Sequence, residues 1–146
     1  MEDLDEQVQA EMAALDRFGL TPAALDLPMI REGLIREIEA VKCDDENVLL
    51  MRLHCIQLFS HGQAADAVLI WRAKRSSFDA GCGIDVQLLC GACVEATKAA
   101  LGALNDPEAR EALTYLCECE HAGDFADWTP AQTLSLIHIS EPTRLG

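Results

Sequence analysis

The sequence is poor in aromatic and basic residues. Phe, Trp and Tyr make up 5% of its 146 residues, so aliphatic side chains and alanine must fill most of the core. Only 11 Lys and Arg stand against 25 Asp and Glu, which gives a formal net charge of −14. Because nucleic-acid binding depends on basic side chains that displace counterions, we do not expect the protein to bind DNA or RNA.

Long hydrophobic runs and targeting signals are also missing. No stretch of about 18 apolar residues is present, so we predict no membrane span and no membrane partner. The first residues, MEDLDEQVQAEM, contain neither the basic nor the apolar region of a signal peptide, and we expect a cytoplasmic protein of a bacterial cell. In that compartment the seven cysteines are expected to be reduced thiols, most of them buried.

Familiar catalytic and nucleotide-binding motifs are absent as well. The chain contains no P-loop, no GxGxxG fingerprint, no HExxH and no GxSxG. We therefore predict no cofactor and no metal site, and we assign no catalytic residue. A protein that is not an enzyme is the favoured interpretation.

Helical periodicity is what the sequence does contain. Apolar residues recur three and four positions apart, and no segment alternates with a period of two for long enough to be a strand. The predicted helices cover about 4–18, 28–41, 46–60, 63–75, 84–104 and 107–121, and a loop is expected over 76–83. Residues 1–133 are thus predicted to form a single all-α domain.

Two of these helices are weakly similar to each other. GQAADAVLIWRAK (62–74) and DPEAREALTYLCE (106–118) align at an offset of 44 residues, with Trp71 opposite Tyr115. Helix pairs that repeat at roughly this spacing are typical of a short stack of antiparallel hairpins, as in an α-solenoid. An irregular helical bundle produces the same pattern, so both architectures remain open.

The end of the chain, LSLIHISEPTRLG, differs in character from the rest. Thr129-Pro130 is a helix-start signal, yet the string that follows is rich in β-formers and then turn-like. From Leu134 to Arg144 it resembles the translation of a transposase-type sequencing adapter. We therefore expect residues 134–146 to be a non-native tail, and the domain to be truncated at its C-terminus with some apolar surface exposed.

Two cysteine pairs raise the question of redox or zinc chemistry. Cys90 and Cys93 have CxxC spacing, but both are predicted to lie within the 84–104 helix on its apolar face, where burial raises the pKa of a thiol. Cys117, predicted on the inner face of its helix, and Cys119 are two positions apart and point in different directions. Neither pair is expected to hold a zinc ion.

The stretch WRAKRSSFDAGCGID, residues 71–85, combines an aromatic ring, cations, carboxylates and an expected loop. Such loops between helices often recognise partners. Cys82 lies between two glycines just ahead of the 84–104 helix, a position that favours a thiolate, so it is the one cysteine predicted to be reactive. The candidate interaction residues are Trp71, Arg72, Lys74, Asp79, Cys82 and Asp85. A purely structural role, in which Trp71 packs and the cations cap a helix, is also open.

One block of the chain, about 48–104, resembles an uncharacterised family of small bacterial all-helical proteins. It reads LLMRLHCIQLFSHGQAADAVLIWRAKRSSFDAGCGIDVQLLCGACVEATKAALGAL, and the similarity continues weakly through EALTYLCECEHAGDF. In that family the motif at 90–93 reads Cys-Gly-Ala-Gly, which implies that the CxxC spacing here is incidental. The family has no assigned activity, so the resemblance gives no residue a role.

The acidic residues are concentrated at the two ends of the chain. Residues 1–46 contain thirteen Asp and Glu against four Lys and Arg, and residues 106–133 contain seven against one. Such surfaces suit a basic protein partner. The leading hypothesis is a non-enzymatic, acidic, helical module for protein–protein interaction. The alternatives are an immunity or inhibitor-type protein that neutralises a basic toxin, and a thiol-dependent or redox protein that uses Cys82.

Overall fold

The structure is a computed structural model that describes residues 2–40 and 48–140. These residues form eight α-helices and three short 3-10 turns, with no β-strand among them. The helices are α1 (Glu2–Phe18), α2 (Leu27–Ala40), α3 (Leu49–His61), α4 (Ala67–Lys74), α5 (Phe78–Gly83), α6 (Val94–Ala103), α7 (Pro107–His121) and α8 (Pro130–Ser140). The 3-10 turns are Ala24–Asp26, Ala64–Asp66 and Val86–Cys90. The predicted all-α class is confirmed, and no described helix is both long and apolar enough to cross a bilayer.

Helix α3 lies at the centre of the core, because its sequence is apolar on nearly every side. Helices α1, α2, α4 and α5 and the 3-10 turn Val86–Cys90 all contact it. It ends at Gly62, whose φ of 80° lies in the left-handed region and whose N–H bonds to the carbonyl oxygen of Leu58. Its buried side chains are Met51, Leu53, His54, Cys55, Ile56, Gln57, Leu58 and Phe59.

Two polar side chains of α3 are buried within this core and are hydrogen-bonded there. His54 Nδ1 lies 3.0 Å from Gln57 Oε1, and Gln57 Nε2 donates to the carbonyl oxygen of Gly19 at 2.9 Å. Gly33 of α2 leaves space for the imidazole, since a Cβ at that position would lie 2.8 Å from His54 Nε2. The hydrogen bonds link α3 to the residue that follows α1, and the imidazole lies close to Gly33 of α2.

The two similar segments found in the sequence pack directly against each other. Trp71 of α4 is 3% exposed, and its ring centroid lies 5.0 Å from that of Tyr115 in α7. Arg75 lies over the same Trp71 ring at 5.4 Å. The aligned aromatic residues therefore share one interface, while a stack of repeated hairpins remains a prediction.

The predicted helix over 84–104 is wrong in its first half. Val86–Cys90 is a 3-10 turn and α6 begins only at Val94, so the chain changes direction over residues 91–93. Gly91 approaches α3 so closely that a Cβ there would lie 2.4 Å from the carbonyl oxygen of Phe59. The hydrophobic pattern runs across this break because both pieces bury aliphatic residues in the same core.

The predicted loop over 76–83 is also wrong, since most of it forms helix α5. Ser77 Oγ accepts a hydrogen bond from the N–H of Ala80 at 3.0 Å and so caps the start of the helix. At the other end Lys74 Nζ donates to the carbonyl oxygens of Gly81 and Ile84, at 2.7 and 2.5 Å. These contacts at both ends stabilise a six-residue helix that contains two glycines.

Helix α7 begins where the sequence predicts, but Cys117 lies on its exposed face and not on the predicted inner face. Asp106 accepts a hydrogen bond from the N–H of Ala109 at 3.1 Å, and Pro107 is in the first turn. Cys117, predicted to be buried, is exposed, whereas Cys119 is buried. The buried face follows Ala112, Leu116 and Cys119, and one residue beyond Leu116 the helix has turned by about 100°.

Helix α8 contradicts the non-helical interpretation of the final residues. It runs from Pro130 to Ser140, while residues 141–146 lie outside the described part of the chain. The N–H of Thr129 donates to Gln132 Oε1 at 2.8 Å, so the helix-start signal prevails over the β-forming residues that follow. Whether residues 134–146 are native remains a prediction.

Candidate binding groove

Several parts of the chain together build a groove of about 730 Å³. Its lining comes from α1, from α3, from the 3-10 turn Val86–Cys90 with the residue before it, and from the C-terminal part of the chain between Asp124 and Ile137. This volume falls within the range of pockets that bind ligands in proteins. The groove is therefore the leading candidate for a functional site.

Apolar side chains make up most of the groove lining. Leu53 and Ile56 of α3 and Leu88 of the 3-10 turn are 4%, 5% and 3% exposed, so they form its buried floor. Further apolar lining is more exposed: Met12, Leu15 and Leu20, which lie on and after α1, and Ala126, Trp128, Leu136 and Ile137 near the C-terminus. An apolar group that entered the groove would lose contact with water on several sides.

Four charged residues line the same groove, and three of them are acidic. These are Glu11, Asp85 and Asp124, together with Arg52. Partial burial raises the pKa of Glu11 above its usual value, and the positive charge of Arg52 opposes that shift. Arg52 Nε also donates to the carbonyl oxygen of Gly83 at 3.0 Å. One guanidinium with a backbone partner thus stands among three carboxylates, which leaves the groove net negative.

Hydrogen bonds and ring contacts fix the C-terminal lining. Trp128 Nε1 donates to Thr133 Oγ1 at 2.9 Å, and the Trp128 ring meets Phe125 edge-on with centroids 5.3 Å apart. Gln87 Nε2 donates to the carbonyl oxygen of Asp124 at 3.0 Å. These contacts connect the segment after α7 to the 3-10 turn.

Comparison of the chain with protein-family models, with curated proteins and with solved structures finds no match. The resemblance of residues 48–104 to small bacterial proteins accordingly stays a prediction.

Three of the predicted interaction residues make contacts within the molecule. Trp71 is buried against Tyr115. Arg72 forms a two-point ion pair with Glu108, with Nη2 to Oε1 at 2.7 Å and Nε to Oε2 at 3.1 Å. Lys74 caps α5, as described above. The cations of this stretch therefore stabilise the packing of α4 on its neighbours. Trp71 and Arg72 also line a smaller cavity of about 310 Å³, which is separate from the groove.

Of the other three predicted residues, only Asp85 lies in the groove. Asp79 is half-buried on α5. Cys82 is exposed, but it lies in the last turn of α5 rather than ahead of a helix N-terminus. Cys82 therefore does not lie ahead of a helix start, where free N–H groups would stabilise a thiolate. The predicted basis for its reactivity is wrong.

The two thiols of the CxxC motif have different surroundings. Burial raises the pKa of Cys90 to about 12, so this thiol is not a nucleophile at neutral pH. Cys93, predicted to lie mid-helix, is instead the N-cap of α6, and its Sγ accepts a hydrogen bond from the N–H of Ala96 at 3.4 Å. Across the described ranges no three His, Cys, Asp or Glu side chains come together to hold a metal ion.

Sequence reasoning missed most of the groove residues. Glu11, Arg52 and the neighbouring pair Asp124 and Trp128 come from three distant segments, and none belongs to a motif. The usable signal was Trp128, an aromatic ring between acidic residues and a helix start in a chain with few aromatics. Its neighbours in the groove could be identified only after the helices were packed.

Proposed function

We propose that this protein is a non-enzymatic interaction module that holds a partner protein in the groove. The observation that carries this proposal is the lining, in which a buried apolar floor lies beside three carboxylates. Apolar surfaces with a polar rim are typical of protein interfaces.

Exposed apolar residues of α1 extend this surface. Met12 lines the groove and is 58% exposed, and Val8, one turn earlier on the same helix, is 37% exposed. No side chain of α1 for which exposure is described is fully buried. A partner that covered α1 would remove this apolar surface from water, which favours association.

The geometry supports the two alternative functions to different degrees. A protein that neutralises a basic toxin would be one kind of interaction module, and the acidic groove is compatible with it. A redox protein that uses Cys82 receives no comparable support, because Cys82 lies in the last turn of α5 and outside the groove lining.

Site-specific photo-crosslinking in bacterial cells tests the proposal. A benzophenone amino acid replaces Met12 or Asp85 in the full chain, and the control replaces Leu25, which is 92% exposed and lies outside the groove lining. We expect a discrete protein adduct from both groove positions and none from position 25. Equal adducts from all three positions, or none from the groove positions, would contradict the proposal.

A further inference from the structure

We propose that the groove receives an amphipathic α-helix of a partner protein whose polar face carries Lys or Arg, an inference that rests on the proposed function. The exposed apolar row along α1 and the carboxylates around the groove favour such a partner.

The apolar surface is longer than the groove itself and follows one helix. Val8, Met12 and Leu15 lie about one turn apart along α1, a separation of roughly 10 Å from first to last at 1.5 Å per residue. A small molecule that filled the groove would leave Val8 uncovered. A helix laid along α1 would cover the whole row with side chains spaced three and four residues apart, which is the usual mode of helix recognition in grooves.

Helix α8 already directs apolar side chains of a helix into this space. Leu136 and Ile137 line the groove, one face of α8 being turned toward it. Leu136 is 64% exposed, so this wall still presents apolar surface that an incoming helix would cover.

The charges select among helical partners. Glu11, Asp85 and Asp124 approach the groove from three separate parts of the chain, and Arg52 alone opposes them. Lys or Arg at the edge of an incoming helix would meet carboxylates there, whereas Glu or Asp would be repelled. A second copy of this chain, with its net charge of −14, is disfavoured for the same reason.

Three synthetic peptides of about 15 residues test this inference on the full chain. They share one apolar helical stripe, and their polar faces carry Lys, Gln or Glu. Binding is followed by fluorescence anisotropy of the labelled peptide. We expect the Lys peptide to bind at least about tenfold more tightly than the Gln peptide, and the Glu peptide to be weakest, with the Lys preference falling as NaCl rises from about 0.05 M to about 0.5 M.

Charge variants locate the effect. Asp85→Asn combined with Asp124→Asn should reduce the preference for the Lys peptide at least about threefold, whereas Glu118→Gln on the exposed side of α7 should leave it unchanged. Equal affinity of the Lys and Gln peptides would overturn the charge selection and leave the groove function standing. Failure of all three peptides to bind, or concentration-dependent dimerisation that the groove variants abolish, would overturn the helical partner itself.

Discussion

Arg31 and Asp66 form a two-point ion pair between α2 and the 3-10 turn that precedes α4. Arg31 Nε lies 2.7 Å from Asp66 Oδ1, and Nη2 lies 3.1 Å from Oδ2. Nη2 also donates to Gln63 Oε1 at 2.9 Å. The Asp66 side chain is only 7% exposed, whereas that of Arg31 is 32% exposed. The carboxylate is thus largely withdrawn from water and depends on the guanidinium.

Asp66→Asn should therefore destabilise the protein more than the matched change in an exposed ion pair. We expect a loss of about 1.5–3 kcal/mol, because charge-assisted bonds to a buried group are removed. The control is Glu108→Gln, since the Arg72 and Glu108 side chains are 46% and 43% exposed, and its cost should be about 1 kcal/mol or less. Urea unfolding followed by circular dichroism measures both, and equal losses would contradict the burial argument.

Cys93→Gly should stabilise the protein. Cys93 has φ 102° and ψ 162°, a backbone region that only glycine adopts without strain of about 1–3 kcal/mol. After the loss of the hydrogen bond from the Ala96 N–H to Cys93 Sγ and the entropy that glycine adds to the unfolded chain, a net gain of about 0.5–1 kcal/mol is expected. Cys82→Gly in α5 is the control and should cost about 1 kcal/mol, since glycine weakens ordinary helical positions. Melting temperatures that move in the same direction for both variants would refute the strain at Cys93.

Gly91→Ala should be among the most damaging small substitutions in the chain. The new Cβ would lie 2.4 Å from the carbonyl oxygen of Phe59 and 3.1 Å from its Cα, so backbone would have to move. We expect a loss of about 2–3 kcal/mol. Gly102→Ala is the comparison, because its Cβ would meet only Leu113 Cδ2 at 3.8 Å on an exposed part of α6, and it should gain about 0.5–1 kcal/mol. Differential scanning calorimetry distinguishes the two; a tolerated alanine at 91 would mean that α3 and the 91–93 turn are not so closely packed.

Acidification should destabilise the fold through His54. Burial lowers the pKa of His54 below its ordinary 6.5; the hydrogen bond with Gln57 opposes that shift, and the charge of Arg36 adds to it. The unfolded chain then takes up this proton first, so the free energy of unfolding is fully maintained above about pH 6.5 and decreases as the pH falls toward the lower folded pKa. Urea midpoints between about pH 7.5 and about pH 5 should fall for the wild type and fall less steeply for His54→Asn. Parallel slopes would rule out His54 as the source.

The sequence predicted those helix boundaries that neighbouring residues in the chain determine. Asp106 and Pro107 start α7, Gly62 ends α3, and the apolar sequence of α3 indicated its central position. The break at 91–93 was missed because its cause is the approach of Gly91 to Phe59, a contact across 32 residues (91 − 59) that no periodicity records. The sequence did not predict helix α5, because Lys74, whose Nζ donates to a carbonyl oxygen at the end of α5, belongs to the preceding helix α4.

The candidate site was the least predictable part for the same reason. Residues 71–85 contain several charged side chains and a thiol, yet Arg72 and Lys74 make contacts within the molecule. Of the six candidates only Asp85 lines the groove. Glu11 and Asp124 are more than a hundred residues apart in the chain and line one cavity. Charge and hydrophobicity along a sequence indicate what kind of surface exists, but tertiary packing decides where it is.

The close approach of Gly91 to Phe59 also bears on how this lineage can diverge. We expect glycine at 91 in homologues that keep this packing, because any other residue would place a Cβ against the backbone of Phe59. At position 93 we expect no such retention of cysteine, since glycine suits the dihedral angles better. A genomic survey for distant homologues would thus do well to anchor its alignments on Gly91 and let the cysteines vary.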